Sequence, residues 1–166
     1  MTNCRKIVVI GFGSLNGDDL AGWLCLDKLE QFGELVKLVE TGQLILFKSK
    51  ADGVDWYPVV NGSLKELIEV IFVDAVKSNN DIGVIHMLND CDRSNWNNKK
   101  LSSSSHAINI FESIDLAKSL GYLNVPFTFY GIEIGDESAG EISKEIKNAT
   151  FVAAENIKSR LLQIIY

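Results

Sequence analysis

The chain has 166 residues and a mass of 18.4 kDa, the span of one domain of ordinary size covering 1–166. Hydrophobic residues make up 46% and charged residues 23%, which excludes a fibrous, collagen-like or disordered chain. With 22 acidic against 16 basic residues the net charge is −6, a sign that repels phosphate backbones and argues against general nucleic-acid binding.

Cys4, Cys25 and Cys91 form no CxxC pair and read as reduced thiols of a cytoplasmic protein. Residues 1–6 lead directly into an apolar run too short for a signal peptide. No window approaches the roughly 18 apolar residues of a membrane span, so a soluble, intracellular protein is expected.

Ile7-Val8-Val9-Ile10 is a β-branched run closed by Gly11, the pattern of a strand buried on both faces. Asp18 and Asp19 precede a helical spacing of Leu20, Trp23, Leu24, Leu26 and Leu29, in which Cys25 reads as a core residue and Gly33 as a stop. A second strand is predicted over 35–41, helices over 44–48 and 64–68, and a surface loop over 51–62. Val70-Ile71-Phe72-Val73 opens another buried strand, with Asp74 near its end. The turn at 78–81 is too short for a parallel crossover, so 82–88 is predicted to return as an antiparallel hairpin strand. Residues 89–105 are polar and read as a mobile loop. His106 opens a helix that Gly121 stops, 125–134 is the fifth strand, and 142–165 is a final helix with a break near 148–150. Alternating elements predict a three-layer α/β sandwich: a mostly parallel sheet of about five strands, one antiparallel, with helices on both faces.

Ligands of open α/β sheets gather at the carboxyl ends of the strands. Asp19 after the first strand, Asp74 ending the third and His106 at a helix start all fall there. Two carboxylates and an imidazole suit nickel, zinc, iron or manganese. Asp19 also fits a plain helix-start acid, and His106 a solvated helix start. Asp74 is harder to explain so, because a carboxyl ending so apolar a strand costs desolvation energy without a partner. His86, inside a strand, reads as structural or exposed.

The turn containing Gly11, Gly13 and Gly17 offers a rival. It is similar to a dinucleotide fingerprint, and Glu40 is predicted to end the second strand where a ribose-binding acid belongs. Against it, Asn16 fills the slot of the third glycine. Asp18 and Asp19 also place negative charge where a pyrophosphate would sit. There is no GxSxG elbow, Walker A sequence or HExxH.

Taken in order, IVVIGFGSLNGDDLAG, VIFVDAV with GVIHML, SSHAINIFESIDLAKSLG and FYGIEIGDESAG resemble the hydrogenase maturation endopeptidases over nearly the whole chain. The resemblance implies a peptidase that removes the C-terminal extension of a nickel-iron hydrogenase large-subunit precursor. It implies a metal-binding trio of Asp19, Asp74 and His106, with Asp18 as the neighbouring acid and Asp19 and Asp74 also catalytic. The metal would be nickel presented by the precursor, and the protease a cytoplasmic monomer. An inactive relative that only binds the precursor is the remaining alternative. The chain departs from the family pattern at Ser14, where an asparagine is usual, at Glu40-Thr41-Gly42-Gln43, and at Ile134, where a proline is expected.

Overall fold

Ile7, Val8, Val9 and Ile10 are fully buried, as are Val70, Ile71, Phe72 and Val73. Runs that need cover on both faces become interior strands. The computed structural model describes residues 5–50, 53–63, 65–92, 102–103, 110–135 and 140–166. Four strands are parallel: β1 (Lys6–Phe12), β2 (Leu44–Ser49), β3 (Leu67–Lys77) and β6 (Phe127–Glu133). β4 (Ile85–Asn89) is antiparallel to β6, and the two-residue β5 (Ser102–Ser103) is antiparallel to the end of β3. The sheet order is β2-β1-β3-β6-β4.

Alternate side chains of these strands feed two cores. Ile7, Val9, Ile71 and Val73 pack under α1 (Ala21–Glu30), α2 (Gly33–Glu40) and α5 (Lys144–Ile165). Val8, Ile10, Val70 and Phe72 pack under α3 (Tyr57–Ser63) and α4 (Ile110–Ser119). Helices therefore cover both faces, and the three-layer α/β architecture expected from the sequence is present. Cys25 is a buried core residue, as expected, and burial pushes its thiol up to about 12. Among the described residues, no helix is long and apolar enough to cross a membrane.

Several element assignments need correction. Residues 35–41 are not the second strand but most of α2: Leu35 and Leu38 are buried while Val36 and Val39 are exposed, a helical period. The second strand is Leu44–Ser49, where the sequence predicts a helix over 44–48. Gly33 opens α2 rather than merely stopping α1. Residues 53–63 are not a surface loop, because α3 and the fully buried Trp56 cap the second core, with the indole N–H donating to Gly53 O at 2.9 Å. The predicted helix over 64–68 gives way to β3, which starts at Leu67.

The return strand β4 is antiparallel but makes no hairpin with β3, because β6 lies between them. The chain reaches it through a bulge: Gly83 N–H donates to Glu133 O, and Glu133 N–H donates to Val84 O, both at 2.8 Å. Two residues thus oppose one, and Gly83 supplies the positive φ of 86° that such a bulge needs. The final helix runs unbroken through 148–150, where the Thr150 hydroxyl is satisfied by Lys147 O at 2.8 Å.

Candidate metal and catalytic site

The first strand ends against a helix that approaches unusually closely. A Cβ on Gly22, in the first turn of α1, would collide with Phe12 O and stand 2.6 Å from Val73 O. Only a glycine lets the helix settle on the carboxyl ends of β1 and β3. The 3-10 turn Gly17–Leu20 that leads into α1 is thereby held over β3 where Asp74 follows Val73. Contrary to expectation, Asp74 does not end the strand, since β3 stays paired with β6 through Val76 and runs to Lys77.

That turn buries both of its acids, which then diverge in role. Asp18 faces the start of α5: its Oδ1 accepts from Ser143 N–H at 2.8 Å and its Oδ2 from the Ser143 hydroxyl at 3.3 Å. Ser143 is itself the N-cap of α5, accepting from Ile146 N–H. Asp19 is turned toward β3, and its Oδ2 accepts from the Ser14 hydroxyl at 3.3 Å. Asp74 is fully buried, with Oδ1 accepting from Ala75 N–H at 2.8 Å. Burial pushes the Asp74 carboxyl well above its usual range, the Ala75 N–H opposes this, and the charge of Asp19 adds to the rise. The two carboxyls, 55 positions apart in sequence, therefore interact electrostatically in one place.

His106 lies outside the described residues, so the structure brings together two members of the predicted trio. Among the described residues, no group of three or more His, Cys, Asp or Glu side chains is arranged to hold a metal ion. A cation held by Asp19 and Asp74 would take its further ligands from elsewhere.

A further buried carboxylate, Glu133, lies on the neighbouring strand. Asp74 is level with Gly131 on β6 and Val76 with Glu133, so Glu133 lies two residues further toward the carboxyl end. Burial alone would raise its pKa. Hydrogen bonds from the Ser78 hydroxyl and N–H at 2.6 Å, His86 Nε2 at 2.9 Å and Asn80 N–H at 3.4 Å instead hold it below the usual range. Ser78 and His86 are 3.4 Å apart, yet they are not a nucleophile and its base, because the Nε2 facing the hydroxyl also faces Glu133. The cluster ties the turn after β3 to β4 and β6. His86 is structural, one of the roles the sequence suggested. Glu133 was missed as a partner, although an acid ending an apolar strand is the same signal that marked Asp74.

The nucleotide reading loses its parts. Glu40 ends α2, not a strand. A Cβ on Gly11 would stand 2.5 Å from Gly22 O, so the close approach that the glycines permit is taken up by the protein's own helix.

Solved structures share the whole fold. A nickel-iron hydrogenase maturation protease, HybD, from Thermococcus kodakarensis superposes with a TM-score of 0.69 at 20% identity, covering 93% of this chain and 98% of that one. HybD from E. coli gives 0.71 at 18%, covering 96% and 93%, and HycI from T. kodakarensis gives 0.63 at 22%, covering 92% and 90%. No curated protein sequence matches the chain. The HycI family model, described as hydrogenase maturation protease, matches residues 58–160, more than half of the chain, and the chain belongs to that family. The family is one of peptidases, and the match takes in Asp74, His106 and Glu133 while Asp19 precedes it.

Proposed function

We propose that this protein is an endopeptidase that removes the C-terminal extension of a nickel-iron hydrogenase large-subunit precursor after nickel insertion. Asp19 and Asp74, joined by His106, complete the coordination of the nickel that the precursor presents, and the protein acts as a cytoplasmic monomer. The observation that carries the reading is the pair of buried carboxyls, Asp19 in the turn before α1 and Asp74 in the carboxyl half of β3. Burial, with the charge of Asp19 beside it, makes the Asp74 carboxyl costly to ionise, and an arriving cation repays that cost. A precursor without metal offers no such repayment, so the site favours loaded substrate through its differential affinity.

The chain's own residues suit this task. Ser14, at the position where the family usually has asparagine, still supplies a donor to Asp19. Asp19 and Asp74 are the groups placed to accept a proton from an attacking water, while the metal supplies positive charge near the scissile carbonyl. Asp18 is committed to Ser143 and acts by holding the turn.

Incubation with nickel-loaded precursor is expected to shorten it. Asp74→Asn and His106→Ala are expected to abolish the shortening, and an unloaded precursor to remain intact. Processing at the wild-type rate by both variants would remove the trio from the mechanism. Capture of the precursor without any cleavage by the wild type would make the protein a binding relative instead.

A further inference from the structure

β4 is an edge of the sheet: among the described residues it pairs with β6 and with no strand on its other side. The antiparallel register sets which backbone groups face which way. The bulge bonds Val84 to Glu133, so His86 opposite Gly131 and Leu88 opposite Phe129 continue the ladder, and the N–H and C=O of Ile85 and Met87 point outward. Natural edges are commonly guarded by lysine or proline. The opposite edge, β2, carries Lys48, paired with Asp27, whereas β4 carries neither lysine nor proline.

The side chains beside this edge are apolar and open. Ile82, Val84 and Met87 are 53%, 39% and 54% exposed. Ile85 and Met87 also line a groove of about 330 Å³ against α5, with Tyr130, Asn156 and Gln163. A row of outward backbone donors and acceptors above an apolar groove selects an extended peptide.

Register fixes where such a peptide leads. Asp74 is level with Gly131, and Gly131 with His86, so the open edge is in one rank with the candidate site. A strand added to β4 would lie about 14 Å from β3, three strand spacings away, which four or five extended residues can cross. β4 runs away from that rank toward the amino end of the sheet. A chain that leaves the site and follows the edge therefore runs parallel to β4.

From this, resting on the function proposed above, we infer that β4 receives the extension that the protease removes. The segment after the scissile bond crosses the carboxyl end of β6 and then pairs with Ile85 and Met87 as an added strand. The metal thus tests one side of the cut and the sheet edge holds the other.

Hydrogen exchange read by NMR on the wild-type protein, with precursor whose scissile peptide bond is replaced by an uncleavable isostere, tests this directly. With nickel-loaded precursor, the amides of Ile85 and Met87 are expected to slow at least tenfold, and with the precursor truncated at the cleavage site they are expected to keep their free-state rates. Those of His86 and Leu88, already in the ladder, serve as the internal control. Met87→Pro removes one outward donor without touching the ladder and is expected to raise KM roughly fivefold at nearly unchanged kcat, the worth of one hydrogen bond of about 1 kcal/mol. Unchanged Ile85 and Met87 amides in the complex would overturn the inference, whether or not the proline variant folds. Equal protection by the truncated precursor would overturn it as well, because the edge would then hold the body of the substrate. A concentration-dependent dimer in sedimentation that Met87→Pro dissolves would assign the edge to a second copy of the chain. Each of these results leaves the protease reading intact if the wild type still shortens the precursor. Absence of shortening by the wild type counts against that reading alone, since the amides report on docking without cleavage.

Discussion

Asp74 stands between Val73 and Ala75 on a strand with no exposed neighbour, and the cost of that position can be measured. Its folded pKa lies above the ordinary 3.8, so the folded chain holds this proton more tightly than the unfolded chain does. The resulting contribution to stability is complete below about pH 3.8 and is lost as pH rises through the folded value. Asp74→Asn never carries the charge, so its Tm is expected to exceed that of the wild type at pH 7, with the gap closing toward pH 4, while processing is lost throughout. A gap independent of pH would mean that desolvation is not what the site costs. The same reasoning made Asp74 legible in the sequence, since an acid set in so apolar a run has few inert explanations. Applied to Glu133 it would have pointed to a second cluster, but what neutralises that cost, Ser78 and His86, becomes visible only when β4 is placed beside β6. Ile134, a departure from the expected proline, donates its N–H to Val76 O at 2.9 Å, a sheet bond proline cannot make.

At the scale of elements, the strongly patterned segments were readable and the weakly patterned ones were not. β1, β3 and α5 announce themselves by run length and period. Residues 35–41 and 44–48 were exchanged because two valines made a short helix resemble a strand, while Leu44-Ile45-Leu46-Phe47 offers no period to decide between the two. The joint between β1 and α1 gives a sharper test of element packing. Gly22→Ala places a methyl against two backbone carbonyls, which cannot yield as side chains do, and is expected to destabilise by roughly 2–3 kcal/mol. Gly33→Ala is the matching control: nothing lies within 4 Å of its added methyl, and alanine is the better helix former, so it should be neutral or stabilising. Urea midpoints of the two variants decide the matter. Equal midpoints would show that helix propensity, not the close approach over β3, governs this joint.

For the whole molecule, the parallel core and the helices on both faces followed from alternation, but the order of strands did not. Nothing local in 82–88 says that β6, some forty residues later, will enter between it and β3. That insertion leaves the two ends of the sheet with different duties. The carboxyl end gathers the acids of the candidate site, and the amino end carries a tie between α5 and the sheet. Arg160 donates through Nε and Nη2 to Glu69 Oε1 at 2.9 and 2.7 Å, and the Thr128 hydroxyl donates to the same oxygen at 2.7 Å. The Glu69 side chain is 7% exposed and that of Arg160 38%, so removing the arginine strands a carboxylate that water barely reaches. Arg160→Met is expected to cost about 2 kcal/mol, below the figure for a fully buried pair because the guanidinium is partly solvated. If the pairing is the cause, adding Glu69→Leu should recover most of that loss in a denaturant double-mutant cycle, because no charge is then left without its partner. A loss that persists in the double variant would place the effect in the packing of the arginine stem against the sheet rather than in the ion pair.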